Sequence, residues 1–386
     1  MGLWLLVLPL ASAQGPAGEG YEEPPVLRAS EILPAELLSG PHHQVEEEVG
    51  TDGLLPHFSI QSAFGTFEAR GDAELRARVR EIQALAALNE VDAKAAEATP
   101  APRETDGFGA IPGLALGTRW PASAAAGGEA NLDYAKLDTM KRQAAHELGI
   151  DPYTENEELQ EALRNRVWAA WAGGKGLVLG PGTAEHGSAS GRAGELLRDY
   201  DAEDLRRLNR LELTAMGVTE DLREEFLKHP SYSPSEGTQL VDALSSLEGI
   251  EDRAEFIRAA VGATSSDEAQ RFEQIAALMR RYNESTGGIE RFVTIGGRVA
   301  GYAPDGTLVV PLVADHAAWT PAVASFAESI ARAVGEDPAF AEGRTRFILP
   351  GTLSARARSE LERRGIDVTE QADTPAPELE AEPAVE

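Results

Sequence analysis

Apolar side chains recur at different spacings along this chain, and the places where the spacing changes dictate how it can fold. Up to about residue 70 they alternate with polar ones. Val45 and Val49 sit among glutamates, Phe58 and Ile60 among polar residues, Phe64 and Phe67 flank a glycine, and Asp52-Gly53 supplies a turn. Period two with a turn predicts a small antiparallel hairpin or meander. From Asp72 to Ala98 the steps become three and four. Leu75, Val79, Ile82, Leu85, Leu88 and Val91 form one stripe, the buried face of a long helix. Between Thr99 and Asn131 the periodicity stops. Pro100, Pro102, Pro112 and Pro121 alternate with Gly and Ala around an apolar island at 108–116, so this stretch reads as a linker or wrapping loop.

Helical spacing returns at 132 in short segments joined by polar turns. Thr154-Glu155-Asn156-Glu157 has the composition of a capping box ahead of a helix that reaches Trp168. Asp201 caps a second helix stopping at Gly217, Thr219 opens a third closed by Pro230, and others follow near 235–247, 251–261 and 265–282. Such short helices predict stacked antiparallel pairs, with no fixed repeat period running through them. The last folded stretch is different. Segments 292–295, 298–302 and 307–313 are strand-like, with Gly296-Gly297 and Asp305-Gly306 at the turns. A helix over 321–334, a strand over 344–349, a helix between Ser354 and Gly365, and a strand over 366–369 complete it. That order predicts a small sheet covered by helices. The expected fold class is α+β and helix-rich, in four parts: an N-terminal β-hairpin plus helix (26–98), a Pro/Gly/Ala linker (99–131), a central helical domain (132–284) and a C-terminal small α/β sheet domain (287–370).

The two ends read as unfolded or removed. Residues 3–8 are apolar, Pro9 follows, and Ala11-Ser12-Ala13 has the small-residue pattern of a signal-peptide cleavage site, so 1–13 is expected to be an export signal. It lacks the usual positive start, since the first cation is Arg28. Residues 14–25 read as a disordered lead-in and 371–386 as a disordered acidic tail of Pro, Ala and Glu. No other run approaches the roughly 18 apolar residues that span a bilayer. The expected location is periplasmic or secreted.

Several stretches resemble a family of exported bacterial proteins: "ASEILPAELLSGP", "SAFGTFEARG" with "RVREIQALAAL", "AHELGIDPYTENEELQEAL", "FLKHPSYSP" and "LSARARSELERRGIDVTE". Together they cover about half the chain. The resemblance implies one shared architecture and carries no catalytic residue with it.

Charge and composition narrow the function. With 64 acidic against 35 basic side chains the net charge is −29, which repels phosphate backbones and anionic lipids. Nucleic acid is therefore not an expected partner; basic protein patches or cations are compatible. There is no cysteine, which removes disulfides, thiolate nucleophiles and cysteine-bound zinc. The chain must hold itself together by burial.

Reactive constellations are incomplete. His146-Glu147 begins like a zinc-protease helix, but Ile150 stands where the second histidine belongs. The glycine-rich 173–180 has no Ser or Thr after Lys175 and follows a helix instead of a strand. Residues 187–191 have Ala189 at the centre, where a hydrolase elbow carries serine. Asp199, Asp201 and Glu203 start like a calcium loop, but Asp204 occupies the glycine position and Arg210 the closing carboxylate, so helix capping explains them. His42 and His43 beside three glutamates are candidate metal ligands, although strand neighbours point to opposite faces. Asp315 and His316, with Trp319 to flank a ligand, form a candidate acid/base pair where a strand gives way to a helix, the place where open α/β sheets bind ligands. Trp168 and Trp171 share one helical face and are candidates for core packing or for membrane contact.

The expectation is a non-enzymatic exported protein that acts by protein binding or scaffolding, with an unidentified protein partner and no cofactor. A hydrolase or metal-dependent enzyme centred on Asp315 and His316 is the first alternative, and a peripheral membrane-associated protein the second.

Overall fold

The computed structural model describes residues 20–98, 134–172, 191–286, 288–340 and 343–372. The chain is α+β and helix-rich, as its periodicities predict. The expected signal at 1–13, the apolar island at 108–116, the glycine-rich 173–180 and the tail beyond 372 lie outside the described residues.

The described residues fall into two compact units, one within Ala29–Glu47 and Phe58–Leu208, the other within Met1–Arg28, Glu48–His57 and Asn209–Glu386. The chain therefore passes between them several times. The elements run β1 (Leu27–Arg28), α1 (Ala29–Ile32), α2 (Ala35–Leu38), β2 (His43–Val45), β3 (Glu48–Thr51), β4 (Pro56–Ser62), β5 (Gly65–Arg70) and α3 (Gly71–Ala98). They continue with α4 (Tyr134–Glu147), α5 (Glu157–Ala172), α6 (Arg192–Asp199) and α7 (Ala202–Ala215).

In the first unit β2 pairs antiparallel with the second half of β4, His43 opposite Ser62 and Val45 opposite Ile60. The alternation read from sequence buries Val45, Phe58 and Ile60 on one face. Leu75, Val79, Ile82, Leu85 and Leu88 are all buried along α3. Leu85 and Leu88 join Leu137, Leu148, Leu159, Leu163 and Val167 in the core between α3, α4 and α5. The cap of α5 differs from expectation. Asn156, rather than Thr154, holds the helix start, its Oδ1 accepting from the Leu159 N–H at 3.1 Å. The Thr154 hydroxyl instead donates to Glu81 of α3, a buried carboxylate that also takes hydrogen bonds from Arg78 and the Asn156 amide. The Thr154 oxygen still accepts from the Asn156 N–H at 3.2 Å, so the hydroxyl serves both groups, and Glu81 gathers several donors because an unpaired carboxylate in the core is costly.

The second unit holds α8 (Glu220–Leu227), α9 (Pro234–Ser245), α10 (Arg253–Ala260), α11 (Ser266–Thr286) and a sheet of β6 (Arg291–Ile295), β7 (Arg298–Tyr302), β8 (Leu308–Pro311), β10 (Thr345–Ile348) and β12 (Ile366–Thr369). Short β9 (His316–Ala317) and β11 (Thr352–Leu353) pair parallel beside it, and α12 (Pro321–Glu336) and α13 (Ala355–Arg363) form the crossovers. Strand order is β12-β10-β8-β7-β6, parallel from β8 to β12 and antiparallel from β8 to β6. The β6–β7 turn is Gly296-Gly297, with φ of 56° and 79°, the two positive values that a tight hairpin turn demands. Period two delivers the strands to two cores. Phe292, Val299, Val309 and Ile348 pack with the helices before the sheet, while Val293, Val310, Phe347 and Leu349 pack with α12 and α13. Thr320 and Ser354 cap those two helices, each side chain accepting an N3 amide.

Candidate functional site

Asp315, His316 and Trp319 do lie beyond the carboxyl end of β8, but the chain itself occupies the ground around them. The Asp315 and His316 amides donate to the Leu54 carbonyl at 3.0 and 3.1 Å, and the Ala318 amide to Gly53 at 2.9 Å. These partners come from the Asp52-Gly53 turn, where Asp52 Oδ1 accepts from the Leu54 and Leu55 amides. Glu22 closes the same end. Its Oε2 accepts from the Trp319 N–H and the Ser354 hydroxyl, both at 2.6 Å, and its own N–H donates to the Trp319 carbonyl. Trp319 is 2 % exposed, with the Arg364 guanidinium 4.7 Å from its ring centre. The half-buried His316 has its Nδ1 3.2 Å from the Thr352 hydroxyl.

Topology gives a reason for the plug. Ligand crevices in open sheets arise where successive crossovers leave in opposite directions. Here β8, β10 and β12 follow one another in a single direction, and β8 meets an antiparallel hairpin on its other side. No crevice opens by topology, and the strand ends are covered by loops.

The other sequence candidates are dispersed. His42 is exposed while His43 is buried. Burial pushes the His43 imidazole below its ordinary pKa, its Nε2 donates to the Leu37 carbonyl at 3.2 Å, and its ring packs against Gly40. Among the described residues no group of three or more His, Asp or Glu side chains could hold a metal ion. Trp168 and Trp171 stack with centroids 5.3 Å apart and lie half-buried against the α3–α5 core. Among the described residues no helix is long and apolar enough to cross a membrane. Asp201 caps α7 through the Glu203 and Asp204 amides, which hold its carboxyl below the usual range. His146 sits exposed on α4.

The opposite situation holds at one edge of the C-terminal sheet. At the β6 edge Glu251 bridges the strand: its N–H donates to the Glu290 carbonyl and its carbonyl accepts from the Phe292 amide. At the β12 edge no described residue pairs with the outer side. Thr369 turns its carbonyl inward to Leu349, so strand alternation aims the N–H and C=O of Ile366 and Val368 outward. A surface cavity of about 460 Å³ runs along this edge, walled by Gly365 to Glu370, by Arg358 and Glu362 of α13, and by Arg346 of β10. One guanidinium nitrogen of Arg358, Nη2, donates to both carboxylate oxygens of Glu370, at 2.7 and 2.6 Å, and Glu370 Oε1 also accepts from the Leu353 N–H. That pairing keeps the Arg358 guanidinium above its ordinary pKa. Arg346 donates to the Tyr282 hydroxyl at 3.3 Å and lies 3.8 Å from Asp367. Strand donors and acceptors that no described residue pairs, beside two guanidinium groups and the carboxylates of Glu362, Asp367 and Glu370, can take up an extended chain.

Sequence reasoning missed this edge, because openness depends on strand order. The six arginines of 344–364 do not mark it, because Glu360, Glu362, Asp367 and Glu370 lie among them and directly after them. In comparisons with protein-family models, with curated proteins and with solved structures, the chain matches none.

Proposed function

We propose that this protein acts by binding polypeptide, accepting an extended segment as an additional strand on β12. One observation carries the reading. The sheet has two edges, one bridged by Glu251, the other paired by no described residue and lined by a cavity whose wall carries Arg346 and Arg358 together with Glu362, Asp367 and Glu370. Exposed edges invite pairing, and folds that do not use them blunt them. Main-chain hydrogen bonds to Ile366 and Val368 supply affinity, and the side chains along the cavity supply selectivity.

The test is a library of linear peptides selected against the full chain, followed by hydrogen exchange with the selected peptides bound. The expected result is slowed exchange at the Ile366 and Val368 amides. Val368→Pro, which removes one outward donor, should weaken binding about tenfold, the loss of roughly 1.4 kcal/mol. Selected peptides that leave both amides unprotected, or that bind Val368→Pro as tightly as the parent, would overturn the proposal.

A further inference from the structure

We infer that the strand added to β12 is the β12 of a second copy of this chain, paired antiparallel about a two-fold axis at Val368. The inference rests on reading β12 as a strand acceptor and names its occupant.

The first observation is the backbone. Ile366 and Val368 aim their N–H and C=O groups outward, and no described residue takes the N–H of Glu370, the next position in that alternation. Val368 is the centre of the three. A second copy turned about it sets Val368 opposite Val368 and Ile366 opposite Glu370, and each pair can exchange both hydrogen bonds of an antiparallel ladder. Between them Asp367 falls opposite Thr369, whose hydroxyl can donate to the carboxylate. Moving the axis to Asp367 would set two carboxylates face to face, which disfavours that register.

The second observation is charge. The wall holds two cations and three anions, and most of them are settled within one copy. Asp367 lies 3.8 Å from Arg346, and Glu370 takes the Arg358 Nη2 and the Leu353 N–H. Two groups remain. The Nε and Nη1 of Arg358 donate to no described residue, and no described side chain pairs with the exposed carboxylate of Glu362. They stand one helical turn apart on α13, Arg358 beside Glu370 at the carboxyl end of β12, Glu362 where the helix runs out toward its amino end. An antiparallel two-fold brings Arg358 of each copy to Glu362 of the other, whereas a parallel copy would match like with like. An edge of mixed sign suits neither an acidic nor a basic segment as well as it suits itself, which is the condition of an isologous contact.

The third observation is order. A flexible segment loses about 1–2 kcal/mol per residue on becoming extended, and a second β12 is a strand already. Each chain carries −29, but at 0.15 M salt the screening length is about 8 Å, so only charges near the seam weigh on it. A strand of four residues gives a short seam and a reversible pair, with a Kd of about 10–100 μM.

The experiment is sedimentation of the full chain from about 5 to 500 μM, a range spanning that Kd, with hydrogen exchange at Ile366 and Val368 over the same range. Two full-length variants accompany it, Glu362→Arg and Val368→Pro, each checked for folding by thermal unfolding. The expected result is a dimer that forms as concentration rises, with exchange at both amides slowing in step. Glu362→Arg breaks no ion pair within one copy and sets cation against cation twice across the seam, so it should weaken pairing about tenfold or more. Val368→Pro should leave a monomer. A parent chain that stays monomeric while selected peptides protect both amides would overturn the second copy as occupant and leave β12 as a strand acceptor. A monomer with no protection by any selected peptide would overturn both. A dimer that survives Val368→Pro pairs through another face and overturns the inference. One lost in Val368→Pro but unchanged in Glu362→Arg overturns the two-fold alignment of Arg358 with Glu362.

Discussion

The carboxyl end of the C-terminal sheet and its β12 edge are built from the same crossover units, yet they differ in what they leave unsatisfied. At the strand ends the exposed backbone of 315–320 is covered by the chain's own Leu54, Gly53 and Glu22. At the edge, Ile366 and Val368 offer donors and acceptors to which no described residue responds. Folds satisfy buried backbone groups nearly everywhere, so a place left open in a sheet whose other edge is bridged is the place to look for a partner. The comparison also explains why Asp315 and His316, placed by sequence at the ligand end of an α/β sheet, meet a loop there.

The largest effect should come from forcing the covered end apart. A Cβ on Gly351 would lie 1.9 Å from the Asp315 carbonyl oxygen, backbone against backbone, with no flexible side chain to yield. Gly351→Ala is expected to cost about 3 kcal/mol in urea unfolding, from overpacking where nothing can relax. Gly53→Ala should follow at about 2 kcal/mol, because its φ of 93° suits glycine and its Cβ would meet the Thr320 side chain. Peptide binding at β12 by whatever remains folded should be unchanged. A Gly351→Ala protein as stable as the parent would show that the covered end bears no structural load.

A second test concerns the helices that pack on the sheet. Glu273 on α11 is raised to about 7, first by desolvation and then by the nearby Glu236 of α9, with Arg280 and Arg281 opposing. A carboxyl raised in the folded state favours the protonated form. Its stabilising contribution is complete below the unfolded pKa near 4.3 and is lost as pH rises through 7. Glu273→Gln should remove that slope. The variant should be more stable than the parent at pH 8 by on the order of 2 kcal/mol, allowing for residual contact with water, and near parity at pH 4. Urea midpoints at the two pH values decide it, and parallel curves would refute it.

Glu22 gives a smaller effect at the covered end. Glu22→Ala strands the Trp319 N–H and frees Ser354 from one partner, for an expected loss of about 1.5 kcal/mol. Glu22→Gln, which keeps an acceptor oxygen, should recover about half of it. Equal losses for the two variants would point to charge, through Arg364 or α13, in place of the hydrogen bonds.

What was legible in the sequence followed from short-range rules. Gly296-Gly297 announced a hairpin, Ser354 announced α13, and the steps of three and four from Leu75 to Leu88 announced a buried helical face. What was not legible depended on partners far along the chain. Thr154 reads as the cap of α5, but Asn156 takes that place while the Thr154 hydroxyl donates to Glu81, 73 residues away. Glu22, within a stretch that reads as a disordered lead-in, is held to Trp319 across 297 residues. Local propensity carries no information about such pairs, nor about which strand ends up at the edge.

The smallest expected loss, at Val368, is measured against a neighbour on the other side of the same strand. Thr369 faces β10 and its carbonyl accepts from Leu349 at 3.1 Å, whereas Val368 directs its amide outward. Thr369→Pro should cost about 3 kcal/mol, as proline does inside a sheet. Val368→Pro removes a donor that no described residue uses, and a proline with its missing N–H toward the open side is tolerated at an edge, so the cost should stay near 1 kcal/mol, mostly from lost packing of the half-buried side chain. Thermal unfolding of the two variants side by side gives the difference directly. If Val368→Pro is as damaging as its neighbour, the outer side of β12 is already paired within the fold, and the contrast between a closed end and an open edge fails.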